Sequence, residues 1–183
     1  MIRRHTKTVR LTHWAIAASI LLLFFSGFGQ MPLYKRYMLT DIAPWTGDYW
    51  LTLQLHYIGA IILMTAVAWH VIYHGMRKEH GLIPRSGDVR ESYQIMKAMI
   101  TGGQEPPSDK YLAEQRLAYA FIAGSVGLLI VTGVVKVIKN VGINLNDSLL
   151  FWSTQLHNLG AVLLLLGFFA HLAAFLVPAN RKL

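Results

Sequence analysis

The sequence predicts an all-α integral membrane protein, a bundle of four transmembrane helices with both termini in the cytoplasm. Hydrophobic residues make up 54% of the 183 residues, and charged residues make up only 14%. The apolar residues gather into four long runs, each close to the roughly 20 helical residues that cross a bilayer core of about 30 Å. The basic residues gather between these runs, mostly on one side of the expected membrane.

The four apolar runs are the predicted membrane helices, and together they take up about half of the chain. Their approximate bounds are Leu11–Gly29, Leu53–His74, Leu117–Ile138 and Thr154–Val177. Little length remains for a separate soluble domain, so we expect one domain over residues 1–183. The first run follows a basic segment, as in a signal peptide. It is longer than the apolar region of a signal peptide, however, so we interpret it as a retained helix.

The distribution of lysine and arginine predicts the orientation of the helices. Of the 17 basic residues, 13 precede the first run, follow the fourth, or lie between the second and third. Because cytoplasmic loops are enriched in lysine and arginine, both termini and the long middle loop are predicted to be cytoplasmic. The net charge of +8 therefore reflects membrane topology. We do not expect nucleic acid to be a partner.

The loops on the two sides differ in character. The first outer loop holds five aromatic residues, which indicate either an interfacial belt or a docking surface for a partner: Tyr34, Tyr37, Trp45, Tyr49 and Trp50. In the inner loop, residues 88–100 predict a short amphipathic helix on the membrane surface. Its apolar stripe recurs at helical spacing, and Arg90 and Lys97 lie off that stripe. The stripe consists of Val89, Tyr93, Met96 and Ile100.

Two matched stretches, LHYIGAIILMTAVAWH and LHNLGAVLLLLGFFAH, form an internal repeat on the second and fourth runs. Each places two histidines fourteen residues apart: His56 with His70, and His157 with His171. Fourteen residues at about 100° each return to nearly the same helix face and rise about 21 Å. One histidine of each pair is therefore expected near the outer surface of the membrane and the other near the inner surface.

Ionisable residues inside membrane segments are rare and usually mark function. The four runs contain no carboxylate, which disfavours a relay of Asp, Glu and His. A zinc or di-iron site would need its ligands at one depth. Two layers of two imidazoles instead suit two low-spin haems. The chain has no cysteine, which excludes a covalent c-type haem or an iron–sulfur cluster held by this chain. We therefore predict two non-covalent b haems.

The repeat assigns the outer layer to His56 and His157. The inner layer has three candidates, His13, His70 and His171. Internal symmetry would pair His70 with His171 and leave His13 over, but the pattern alone does not choose between them. Gly59 and Gly160, three residues after the outer histidines, have two interpretations. They let a porphyrin approach the backbone, or they let two helices pack closely.

Four motifs resemble the four-helix di-haem cytochrome b subunits of membrane-bound formate dehydrogenases. They are THW at Thr12–Trp14, LHYIG at Leu55–Gly59, VTGV at Val131–Val134 and the LH-x2-G…H of the last run. Related subunits serve nickel–iron hydrogenases and thiosulfate reductases, within the bacterial cytochrome b561 and hydrogenase cytochrome b family. The resemblance covers essentially the whole chain. It implies that the axial ligands of the haem irons pair His13 with His171 and His56 with His157, so that His70 departs from the family pattern.

The resemblance also implies a site for menaquinone or ubiquinone beside the inner haem. In this sequence the corresponding segment is KYLAEQRLAY, where Lys110, Tyr111 and Gln115 are the candidate contacts. Helix capping or interfacial snorkelling is the alternative role for each of these side chains. Leu112 stands where some relatives have a polar residue.

The implied function is that of an electron-transfer subunit, rather than the catalytic one, in the bacterial inner membrane. It would pass electrons to quinone from an iron–sulfur (beta) subunit joined to a catalytic (alpha) subunit, with formate as the leading substrate. One alternative is the cytochrome b subunit of a nickel–iron hydrogenase or of a thiosulfate or polysulfide reductase. Another is a stand-alone b561-type quinol oxidoreductase, and a third is a haem-free membrane anchor or transporter.

Overall fold

The computed structural model describes residues 6–31, 41, 43–103 and 111–176, and the regular structure within these ranges is entirely helical. Five α-helices and one short 3-10 helix have their bounds within these described ranges. They are α1 (Lys7–Gln30), the 3-10 helix (Pro44–Gly47), α2 (Tyr49–Met76), α3 (Asp88–Thr101), α4 (Ala113–Asn140) and α5 (Asp147–Leu176). Helices α1, α2, α4 and α5 are long and apolar enough to cross a membrane. The predicted all-α membrane fold with four spans is confirmed.

The membrane helices begin about one turn or more before the apolar runs, because polar residues cap their first turns. In α1, Val9 N donates to Thr6 Oγ1 over 3.3 Å. In α2, the backbone nitrogens of Trp50 and Leu51 donate to Asp48 Oδ1 over 2.9 and 3.2 Å. Such caps satisfy helix N–H groups that have no partner within the helix. Sequence hydropathy alone therefore underestimates the length of each helix.

The chain divides into two compact units, residues Met1–Lys78 and Glu79–Leu183. The first unit is a hairpin in which α1 packs against α2, and the second is a hairpin of α4 and α5 with α3 packed against α4. Many of the buried positions hold small or hydroxyl residues, including Ser19 and Ser26 in the first unit and Ser125 and Thr132 in the second. Large apolar side chains are mostly exposed. This distribution is typical of helices whose surroundings are hydrocarbon, where close packing depends on small residues.

Helix α3 is fixed to the start of α4 by a buried ion pair. Arg116 donates from Nε to Asp88 Oδ2 over 2.9 Å and from Nη2 to Asp88 Oδ1 over 2.6 Å. Both side chains are only 3% exposed. Arg116 also donates to the carbonyl of Tyr111. The hydrogen bond from Arg116, and then that from the Arg85 backbone, lower the pKa of Asp88 to about 2.

The ends of α3 are set by glycines with left-handed backbone angles. Gly87 precedes the helix with a φ of 100°, and Gly102 follows it with a φ of 68°. Left-handed angles strain most other residues, so glycine at these two positions defines both ends of the helix. Ile95 and Ala98 are buried, whereas Val89, Tyr93 and Met96 of the predicted stripe are exposed. The helix therefore has one face on its own unit and a second apolar face turned outward.

Candidate functional site

His56 of α2 is held by two consecutive residues of α1. Its Nδ1 lies 3.0 Å from Ser26 Oγ. A Cβ built on the next residue, Gly27, would lie 3.3 Å from His56 Cε1 and 3.6 Å from its Nδ1. The imidazole therefore occupies space that a larger residue at position 27 would fill. Ser26 is fully buried, so its contact with the His56 ring lies inside the first unit.

His157 of α5 is held in the same way within the second unit. Its Nδ1 lies 2.9 Å from Thr132 Oγ1 on α4. A Cβ on the following residue, Gly133, would lie 3.4 Å from His157 Cε1 and 3.9 Å from its Nδ1. Thr132 is also buried. Each of the two outer histidines predicted from the internal repeat thus contacts a hydroxyl residue and the glycine that follows it.

The hydrogen bonds of the two hydroxyls favour one form of each imidazole. Ser26 Oγ donates to the carbonyl of Leu22 over 2.7 Å, and Thr132 Oγ1 donates to the carbonyl of Leu128 over 2.7 Å. A hydroxyl has one proton, so each oxygen is left to accept a hydrogen bond from Nδ1. A neutral imidazole with its proton on Nδ1 has its lone pair on Nε2. That lone pair is what a metal ion binds.

Ser26 and Thr132 are functional candidates that the histidine spacing did not reveal. Their segments are LLFFSG at residues 22–27 and LLIVTG at residues 128–133, which share the pattern L-L-x-x-[ST]-G. The pattern recurs on the first helix of each hairpin, as the histidine motif does on the second. Comparison of the first and third apolar runs would therefore have found it. The repeat covers both helices of each unit.

Gly59 and Gly160 face the opposing helix of their own hairpin. A Cβ on Gly59 would lie 3.1 Å from Leu23 Cγ, and a Cβ on Gly160 would lie 3.1 Å from Leu129 Cγ. Of the two interpretations left open by the sequence, these contacts favour close packing of helices. The glycines that make room for an imidazole are Gly27 and Gly133.

The three inner-layer candidates are distributed over both units. His13 on α1 and His171 on α5 are exposed, and His70 on α2 is partly exposed. The His13 ring lies 5.8 Å from that of Trp14, edge to face. The His70 ring lies 4.5 Å from that of His74, centroid to centroid. Neither contact chooses between His13 and His70, so the inner pair stays a prediction.

The three quinone candidates have different surroundings, and their contact with quinone stays a prediction. Lys110 lies outside the described residues. The Tyr111 carbonyl accepts from Arg116, and the Tyr111 ring lies beside Gly81, where an added Cβ would come within 3.0 Å. Gln115 Oε1 accepts from the backbone nitrogen of Leu112 over 3.2 Å. Gln115 therefore caps the start of α4, which is the alternative role that the sequence allowed.

The protein-family model for prokaryotic cytochrome b561 matches residues 4–183, which is nearly the whole chain. A search of curated proteins found no match.

Proposed function

The chain belongs to the prokaryotic cytochrome b561 family, so it is a multi-pass haem b electron-transfer protein of the bacterial inner membrane, and we propose that His56 and His157 are the two axial ligands of one of its haems. The observation that supports both histidines as ligands is the matching hydrogen bond at each Nδ1, and the sequence resemblance supports their pairing on one haem. In each unit, Nδ1 is bound to a buried hydroxyl that already donates elsewhere. Both imidazoles therefore present Nε2 as the ligating nitrogen.

The residues fit a haem b on chemical grounds as well. Neutral imidazoles are axial ligands of haem iron, and they require no cysteine on the chain. Their hydrogen bonds hold a proton on Nδ1 and fix each ring plane within its hairpin, so little order is lost when the iron is bound. When bound, a haem b supplies a one-electron couple of ferric and ferrous iron. The chain contributes the ligands, the ring orientation and apolar surroundings.

A second haem is proposed on the inner side, with His13 and His171 as its axial ligands. Support comes from the sequence resemblance, in which the histidine of the H-W pair is a ligand, and from the inner position of His171 in the H-x13-H motif. His70 is the alternative to His13. The proposed protein thus has two haem layers separated along the helices by about 21 Å, the rise of fourteen helical residues.

The proposed role is transfer of electrons across the membrane, from an iron–sulfur subunit and its catalytic subunit to menaquinone or ubiquinone. The resemblance favours formate dehydrogenase as the partner complex. A hydrogenase or a thiosulfate or polysulfide reductase is the nearest alternative, followed by a stand-alone b561-type quinol oxidoreductase. Purification of the native complex and identification of its subunits would separate these. An iron–sulfur subunit would support the first two, and a chain isolated without partners would favour the third.

Haem content tests the central proposal. The purified parent protein should contain two non-covalent haems per chain, measured as the pyridine haemochrome, with low-spin ferric spectra. His56→Ala and His157→Ala should each lose one haem, and the same one. His80→Ala, in the segment between α2 and α3, is the matched control and should retain both. A parent protein without haem, or a His56→Ala variant that retains two, would contradict the assignment.

A further inference from the structure

We propose that Ser26 and Thr132 are positioning residues that lower the reduction potential of the haem bound by His56 and His157, an inference that rests on the proposed function. Neither residue would touch the iron. Each acts through the imidazole whose Nδ1 donates to its hydroxyl oxygen. The two hydroxyls are therefore expected to affect one and the same haem, although they lie 106 positions apart in the chain.

In each unit the hydrogen bonds form a short chain that runs from the imidazole through the hydroxyl to a backbone carbonyl. The imidazole Nδ1 donates to the hydroxyl, and the hydroxyl donates to the carbonyl of Leu22 or Leu128, four residues earlier in its own helix. Donation to the carbonyl polarises the hydroxyl, which makes its oxygen a better acceptor. A stronger bond at Nδ1 leaves more electron density on Nε2, so the imidazole becomes a more basic ligand. A more basic ligand stabilises ferric over ferrous iron, and the potential falls.

Burial makes this effect larger and prevents water from replacing it. Ser26 is 0% exposed and Thr132 is 4% exposed. In a low-dielectric interior a hydrogen bond is stronger than in water. The next residues along the helices, Gly27 and Gly133, have no side chain that could accept in place of the hydroxyl. We therefore expect a hydroxyl-free variant to lose the hydrogen bond rather than exchange it for one to solvent.

The experiment is a potentiometric titration of the full-length protein in lipid nanodiscs, followed at the reduced haem b absorption band. The test variants are Ser26→Ala and Thr132→Val, the latter preserving side-chain shape. Each should raise one of the two midpoint potentials and leave the other in place. The double variant should raise the same midpoint further, by up to about a tenfold change in the one-electron equilibrium, which is about 59 mV. Ferric EPR of the same samples should show altered g values for one haem only.

Matched controls exist on the same two helices. Ser19 on α1 and Ser125 on α4 are buried and donate to their own helix carbonyls, of Ile16 and Phe121, over 2.8 Å. Ser19→Ala and Ser125→Ala remove a buried hydroxyl of the same kind and should leave both midpoints unchanged. The conservative exchanges Ser26→Thr and Thr132→Ser retain a hydroxyl and should restore the parent value. A role in helix packing alone would not give this pattern.

The outcomes separate this inference from the function on which it rests. If the parent holds two haems and His56→Ala loses one, yet both midpoints stay in place in the double variant, the role of the hydroxyls is disproved and the function stands. If Ser26→Ala moves one midpoint and Thr132→Val moves the other, the two histidines ligate different haems and the pairing fails. If Ser26→Ala cannot retain haem, Ser26→Cys replaces it. Its thiol is a weaker acceptor, so an unshifted midpoint would then overturn the proposal.

Discussion

At the scale of single residues, a hydrogen bond at Nδ1 gives two of the membrane histidines matching surroundings. His56 and His157 are each bound to a buried hydroxyl of the preceding membrane helix, with an N···O distance of 3.0 or 2.9 Å. The His70 ring instead lies 4.5 Å from the His74 ring on its own helix, with the two planes tilted by 52°. Spacing in the sequence predicted that His56, His70, His157 and His171 belong to one repeat. His56 and His157 have matching surroundings, each within its own unit. The choice between His13 and His70 as an inner ligand stays a prediction.

Substitution of the inner histidines should decide between family resemblance and internal symmetry. His13→Ala should lose one haem, because its imidazole would be an axial ligand, whereas His70→Ala should retain both. The measurement is the number of haems per chain by pyridine haemochrome, with His80→Ala as the control. If His70→Ala loses the haem and His13→Ala does not, internal symmetry is the better guide and His70 pairs with His171.

At the scale of the elements, α3 is joined to the membrane helix α4 by one buried, bidentate ion pair, Asp88 with Arg116. Removal of one member would leave the other charged and buried, which is strongly unfavourable. The opposite side of α3 exposes Val89, Tyr93 and Met96. The helix is thus fixed on one face and presents an apolar stripe on another, as the prediction of a surface-lying helix requires.

The ion pair should make the docking of α3 dependent on pH. The pKa of Asp88 is about 2, lowered from an ordinary value of 3.8. Since the folded-state pKa is lowered, the stabilisation is fully present above about pH 4 and is lost as the pH falls towards 2. The protection factors of the α3 amides, which are corrected for the intrinsic pH dependence of hydrogen exchange, should fall over this interval. Asp88→Asn should exchange rapidly even at neutral pH and lack the transition, whereas Glu91→Gln, which removes only a 3.4 Å contact, should retain it.

The exposed stripe of α3 should contact lipid. Because the chain has no cysteine, a single nitroxide can be attached at Val89→Cys or Met96→Cys, with Gln94→Cys on a polar face as the control. In nanodiscs containing anionic lipid, labels at 89 and 96 should be relaxed mainly by oxygen, and the label at 94 mainly by a water-soluble nickel complex. Aqueous accessibility at 89 and 96 would contradict a membrane-lying helix. If the labels at 89 and 96 lose their aqueous accessibility only after a partner protein is added, the stripe is a protein interface instead.

At the scale of the whole molecule, the chain contains the same two-helix motif twice. In each hairpin, the first helix provides L-L-x-x-[ST]-G and the second provides L-H-x-x-G, so that leucine packs on the later glycine and the hydroxyl binds the histidine. Every contact of this motif lies within one unit. Each hairpin therefore positions its own outer histidine through contacts within that hairpin alone.

Electron transfer through the proposed complex should charge the membrane. If the partner docks outside and quinone is reduced on the inner side, each electron crosses much of the bilayer against the potential. A full crossing costs about 2.3 kcal/mol per charge per 100 mV. Quinone reduction in liposomes should therefore generate a potential, read by a voltage-sensitive dye, and should accelerate when an ionophore dissipates it. Reduction at full rate with no potential would place the quinone site or the partner on the opposite side.

The sequence by itself determined the features that depend on local composition and periodicity. Long apolar runs can bury their backbone polar groups in lipid only as helices, so four membrane helices follow from hydropathy. The helix at residues 88–101 follows from its apolar stripe and flanking glycines. The repeated H-x13-H motif likewise selects candidate haem ligands, because its period places two imidazoles on one helix face.

Tertiary structure decided which residues those helices bring together. Ser26 reaches His56 across 30 positions and Thr132 reaches His157 across 25, and no local pattern specifies that contact. The same holds for Asp88 and Arg116, which are 28 positions apart. The folded structure also shows that Gln115 caps the start of α4 and that Gly59 packs against α1. Periodicity states which face a residue occupies, but the identity of the atom that it meets depends on how two helices pack, and only the folded hairpins fix that.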